Sequence, residues 1–106
     1  MPQIGSRAVV APGVVLPPQA RLKGRAEIRT LADVLVLGPS RTDGVTYCTA
    51  HRDLDIGVRV IRGCFSGTLD EFIQIIGVYT IGKEVMNTQA WEYVAAIRAQ
   101  FNLPEA

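Results

Sequence analysis

Isoleucine, leucine or valine occupies every sixth position from Ile4 onward: Ile4, Val10, Leu16, Leu22, Ile28 and Val34. These three types fill 29 of the 106 positions, little more than a quarter, so an unbroken column of six is not a product of composition. Two positions before each stand Pro2, Ala8, Val14, Ala20, Ala26 and Ala32, and five of these are small and apolar. Residues two apart in an extended segment point to the same side. Each hexapeptide therefore turns one small and one branched side chain inward together. A fixed short period means stacked units that bury a shared core. Pro12, Gly13, Pro17, Pro18 and Gly24 fall at or near the corners between units, where turn residues belong.

The pattern small–x–aliphatic–x–x–x over residues 2–37 resembles the hexapeptide repeat of left-handed β-helix proteins. The resemblance implies the left hand and three hexapeptides per coil, hence about two coils here. An ordinary β-sheet with irregular turns is the other reading of the same residues. Stacked repeats usually need about three units, with atypical ends, before they are stable. A two-coil segment thus needs cover at both ends. The C-terminal half can supply one cover and a second copy of the chain the other, so a homo-oligomer, dimer or trimer, is expected.

After Leu37 the period breaks at Gly38-Pro39-Ser40-Arg41. Val45 to His51 and Ile56 to Arg62 read as two strands joined by the hairpin loop Arg52-Asp53-Leu54-Asp55. Thr68 and Glu71 have the spacing of a capping box, which predicts a helix burying Leu69, Phe72, Ile75, Ile76 and Tyr79. Gly82 ends or interrupts it. A second helix is predicted from about Asn87-Thr88, burying Ala90, Val94, Ile97 and Phe101 with Trp91 on the flank, and stopping at Leu103-Pro104.

The segments Ser40-Arg41, Thr46-Tyr47, Ile56–Val60, Gly63–Phe72 and Glu92–Ile97 carry a second resemblance. They look like a small C-terminal domain found in uncharacterised bacteriophage and bacterial proteins, often after hexapeptide repeats. It covers roughly residues 38–101, and Gly63-Cys64-Phe65-Ser66-Gly67-Thr68-Leu69-Asp70-Glu71-Phe72 is its most specific part. That family tends to have Thr-His-Gly where Tyr79-Thr80-Ile81-Gly82 stands here. The resemblance implies a link to phages and mobile elements but no biochemical activity.

Composition narrows the functional classes. The chain is 48% apolar and 20% charged, which suits a folded domain rather than a disordered one. Its net charge of +1 conceals a split between a basic half, residues 1–62, and an acidic one, residues 63–106. The split is too weak to imply nucleic-acid binding. Neither a signal sequence nor an apolar run of about 20 residues is evident, so a cytoplasmic chain with no membrane span is expected. On that reading Cys48 and Cys64 are expected to be reduced and buried.

Hexapeptide proteins include acyltransferases that use acetyl-CoA and a histidine set between subunits. The one histidine here, His51, lies outside the repeat. Cys48 and His51 are three apart on a predicted strand and so face opposite ways. With Cys64 they remain one ligand short of a structural zinc set. Asp53, Asp55 and Glu71 are too scattered for an acid–base pair, and no phosphate loop or nucleophile elbow appears. No catalytic residue, metal ligand or cofactor is assigned. Arg21, Lys23, Arg25 and Arg29 should face outward on the second coil. They read first as a solvated face, then as a surface for an acidic protein, and last as a nucleic-acid contact, for which stacking aromatics are missing from the repeat.

The expectation is a single domain, mainly β with C-terminal helices: a short hexapeptide-type left-handed β-helix over 2–37, a β-hairpin region over 38–67 and a two-helix cap over 68–103. The expected function is that of a non-enzymatic, self-associating interaction protein of phage or mobile-element origin. A host defence complex is the suggested target, as for an anti-CRISPR-like inhibitor. A miniature or remnant acyltransferase and a purely structural oligomerisation module are the alternatives.

Overall fold

The computed structural model describes residues 2–104. Four two-residue strands, β1 (Gln3–Ile4), β2 (Val9–Val10), β3 (Arg21–Leu22) and β4 (Glu27–Ile28), form two separate parallel ladders, β1 with β3 and β2 with β4. Gln3 pairs with Arg21, Ile4 with Leu22, Val9 with Glu27 and Val10 with Ile28. Each partner lies eighteen residues away, three hexapeptide periods, so the chain makes a first pass and then a second pass beside it. Ala20, Leu22, Ala26, Ile28 and Val34 are buried together, with Ala8, Val10, Val14, Leu16 and Val36 packed against them. Both inward columns of the repeat thus meet in one core.

The third side departs from the expectation. Thr30 caps a short 3-10 turn, Leu31–Asp33, which carries Ala32 out to the surface. Val34 then enters strand β5 (Val34–Leu37) and pairs antiparallel with His51 instead of lying parallel to Leu16. Among the described residues nothing closes the two ladders into a solenoid. The physical reason is competition: a six-residue neighbouring strand offers β5 a full antiparallel ladder, which the irregular first-pass backbone over 14–16 cannot match.

That neighbour is β6 (Cys48–Asp53), followed by β7 (Gly57–Arg62) and β8 (Phe65–Gly67), giving a sheet in the order β5-β6-β7-β8. The hairpin was legible, although β6 starts three residues later than expected and β8 had no clear signal. Two helices follow, α1 (Leu69–Tyr79) and α2 (Glu84–Phe101), so the fold is mixed rather than mainly β. Thr68 and Glu71 form the capping box of α1. Phe72 and Ile76 are buried as expected, but Tyr79, at the last turn, is 66% exposed because the chain already turns away at 80–83. Helix α2 begins earlier than predicted and ends at Asn102 in the left-handed conformation, with Ala90, Val94, Ile97 and Phe101 buried on one stripe.

Strand alternation turns the sheet into a partition. Leu35, Leu37, Cys48, Ala50, Val58 and Val60 face the helices and join their core. Val34 and Val36 face the repeat and belong to its core. Thr49, His51 and Asp53, the alternate residues of β6, face the repeat as well. The layers are therefore repeat, sheet and helices, and the sheet serves two cores of different chemistry.

Candidate interaction surface

Strand amides alternate between the two edges of a strand. In the first pass Gln3, Gly5, Val9 and Ala11 donate to the carbonyls of Ala20, Leu22, Ala26 and Ile28 at 2.8–2.9 Å. The second pass then has its other edge free, where a third pass would lie. The sheet takes that place with side chains. Arg21 N donates to Thr49 Oγ1 and Lys23 N to His51 Nε2, both at 3.2 Å. Leu54 N donates to Arg25 O at 2.9 Å, and Ala26 bridges Asp53 in antiparallel fashion. The edge is sealed.

His51 is held in one state by this arrangement. Its Nε2 accepts from Lys23, so the ring proton sits on Nδ1, which donates to Arg52 O at 2.8 Å. Burial pulls its pKa below the ordinary 6.5, against the opposing pull of the Arg52 carbonyl and the Asp53 charge. Both nitrogens are occupied, and the side chain is fully buried. Asp53 locks the neighbouring turn: Oδ1 accepts from Asp55 N and Ile56 N, and Oδ2 accepts from Arg59 Nε at 2.9 Å. Burial pushes the Asp53 carboxyl upward, but the Arg59 hydrogen bond and the turn amides together outweigh it and hold the group below its usual value. Arg59 also donates to Ser66 Oγ and lies across Gly24, at φ +57°, where an added methyl would stand 2.6 Å from Arg59 Nη2.

The four basic residues do not gather into one free patch. Arg21 Nη1 donates to the Gly63 carbonyl, Arg25 pairs with Asp55 and Arg29 with Glu27. Lys23 is half-buried beside the His51 seam. Three of the four cations thus have partners within the chain, two of them acids.

Cys48 and His51 lie on opposite faces of β6, as their spacing requires. Cys48 is buried and free, its thiol pushed up to about 12 by burial. Cys64 corrects the expectation of burial: it is exposed, because it follows Gly63 (φ +59°) at the tip of the β7–β8 turn. It sits at a cleft of about 570 Å³ walled by Phe65, Phe72, Ile75, Ile76 and Met86, with Arg62 and Lys83 among its lining residues. Asp53 and Asp55 serve the turn and the Arg25 pair, and Glu71 the helix cap. Among the described residues no group of three or more His, Cys, Asp or Glu could hold a metal ion. No helix among them is long and apolar enough to cross a membrane.

The opposite edge of the repeat is open. With Gln3, Gly5, Val9 and Ala11 bonded to the second pass, the amides of Ile4 and Val10 face away from it. Ile4 is 54% exposed, although its register partner Leu22 is 1% exposed; Val9 and Val15 on the same pass are 59% and 81% exposed. Arg7 is the one charged residue among the first twenty. Edges of this kind are usually guarded with charges or prolines; here the first pass has Pro2, Pro12, Pro17 and Pro18 but almost no charge.

Searches of protein-family models, of curated proteins and of solved structures find no match to this chain. The sequence reading placed its candidate surface on the basic second pass and overlooked the first. The overlooked signal was the charge gap over residues 1–20 beside a second pass dense in charge.

Proposed function

We propose that the chain is a non-enzymatic interaction protein that associates with itself through the first pass of its repeat. The observation that carries the reading is the charge-poor, largely apolar and unpaired N-terminal edge described above, set on a protein whose other repeat edge is sealed. Exposed apolar surface of this kind marks association sites. We read the two passes as two coils of a short left-handed β-helix, supported by the eighteen-residue register and the shared inward columns. We further propose an origin in a phage or mobile element and action in the bacterial cytoplasm, on the sequence resemblance read over residues 38–101 alone.

On this reading the protein works by occupying the surface of a host protein, and an inhibitor of a defence complex fits that class. A second apolar patch supports a partner other than the chain itself: Val78, Tyr79, Ile81 and Val85 are all more than half exposed around the α1–α2 corner. The acyltransferase alternative loses its support, because His51 has both ring nitrogens engaged inside the seam and cannot present a free base to a substrate. Light scattering after gel filtration tests the core of the proposal. An oligomer is expected, and a monomer at micromolar concentration would sink it. Capture from a bacterial lysate should retain a stoichiometric host protein; an empty capture would leave a structural oligomerisation module. Calorimetry with coenzyme A should give no binding heat, and saturable heat would restore the enzyme reading.

A further inference from the structure

The two edges of the repeat also set the symmetry of self-association, an inference that rests on the self-associating reading above. We propose that two copies of this chain dock head to head, the β1–β2 edge of one against the same edge of the other, with strands antiparallel across a two-fold axis.

The first argument is exclusion. A head-to-tail stack would need the second pass to receive the first pass of the next copy. That receiving edge is closed by Thr49, His51 and the Leu54 amide. Heterologous contacts generate rings or filaments, whereas a contact of one patch with itself closes at two copies. Of the repeat's two edges only the N-terminal one is left, and in repeat-to-repeat docking it can meet only the same edge of a second copy. A two-fold axis reverses strand direction, so the pairing across it is antiparallel.

The second argument is complementarity. Ile4 and Val10 turn their amides and carbonyls to this edge, and a strand added there would pair both. The prolines of the first pass, Pro2, Pro12, Pro17 and Pro18, lie outside β1 and β2, so the Ile4 and Val10 amides stay available, with Pro2 and Pro12 limiting the ladder to these positions. Arg7 is the single charge that each copy brings within its first twenty residues, so the contact has almost no repulsion to overcome. Docking would cover Ile4 and the half-buried Ala8, Val10, Val14 and Leu16, whose column is buried in the second pass but ends in solvent in the first. Two passes would become a stack of four, beyond the roughly three units at which such stacks become stable.

The test combines light scattering on the full chain with amide exchange by NMR. The expected mass is twice 11.5 kDa. The Ile4 and Val10 amides should exchange at least about tenfold more slowly than in a monomeric variant, and the protection should fade on dilution. Ile4→Asp should give a monomer with unchanged circular dichroism, whereas Val15→Asp, on the side of the pass, should stay dimeric. A wild-type monomer would overturn both this inference and self-association itself. A trimer, or a mass that keeps growing with concentration, would leave self-association standing and overturn the two-fold arrangement. A dimer with fast-exchanging Ile4 and Val10 amides would overturn edge docking, as would one broken by Val15→Asp but not by Ile4→Asp. If Ile4→Asp fails to fold, the loss of wild-type protection on dilution decides alone.

Discussion

Ile4 and Leu22 occupy the same column of the repeat and face each other in register, yet one is half-exposed and the other sealed. Their local sequences differ little in apolar character. What separates them is what lies on the far side of each strand. Leu22 is backed by a sheet whose Thr49 and His51 side chains replace the amide acceptors of a missing pass. Ile4 is backed by nothing among the described residues. A periodic sequence therefore specifies which residues point inward, while stability at each turn of the period depends on cover supplied from elsewhere.

The sharpest way to break the comparison is to place the same charge at both positions. Leu22→Asp removes a buried leucine and leaves an unpaired carboxylate in an apolar core, at a cost of about 4 kcal/mol or more. Against a typical total of roughly 5–15 kcal/mol, most of the protein should unfold, as read by circular dichroism and urea denaturation. Ile4→Asp should cost the monomer about 1 kcal/mol or less, since its side chain already meets water. Equal losses at the two sites would mean that the two passes are equally buried in solution.

The seam comes next in size. Gly24 sits at φ +57° under the Arg59 guanidinium, which Asp53 and Ser66 hold in place. Gly24→Ala should cost about 1–3 kcal/mol, from the left-handed backbone and from the displaced ion pair. Ala at the exposed Gly77, inside α1, meets no neighbour and should stabilise slightly. A thermal melt of each variant checks the contrast, and a neutral Gly24→Ala would show that Arg59 does not fasten the repeat to the sheet.

His51 makes the same seam sensitive to acid. Its folded pKa lies below the ordinary 6.5, so the folded state prefers the neutral ring. The unfolded chain takes up a proton first as pH falls. The contribution is complete above 6.5 and is lost progressively below it, down to the folded value. The urea midpoint should therefore begin to drop as pH falls below 6.5, the unfolding free energy declining by at most about 1.4 kcal/mol per pH unit until the folded value is reached. Asp43, held down to about 2 chiefly by its Thr46 hydroxyl, acts only between its ordinary 3.8 and that value, well below the pH at which the His51 effect sets in. His51→Gln should flatten the upper slope; an unchanged slope would assign it to other groups.

How much of this was legible in the sequence follows from which interactions are local. The inward columns of the second pass, Ala20, Leu22, Ala26 and Ile28, were readable because strand alternation is a property of the chain itself. The Thr68–Glu71 cap and the α2 stripe were readable for the same reason. The diversion of Val34–Leu37 into the antiparallel sheet was not, because it depends on β6 offering a longer ladder from elsewhere in the chain. Thr49 and His51 read as alternate residues of a strand and Asp53 as part of the hairpin loop, and the use of Thr49 and His51 as substitute acceptors appears only once the second pass lies against them. The charge gap before Ala20 was visible from the start, but its meaning depended on knowing which edge was sealed.

The smallest expected effect tests the basic residues. Arg25 and Asp55 are each nearly half-exposed and form an ion pair at 3.0 Å. Such surface pairs contribute about 0–1 kcal/mol, and salt screens them. Arg25→Glu should lower stability by no more than about 1 kcal/mol, and roughly 0.5 M salt should erase most of the difference. The mutation should also leave self-association unchanged, because Arg25 lies on the sealed side of the repeat. Loss of the oligomer in Arg25→Glu, with Ile4→Asp still oligomeric, would move the interface from the open edge to the basic second pass. The comparison of the two edges would then be reversed.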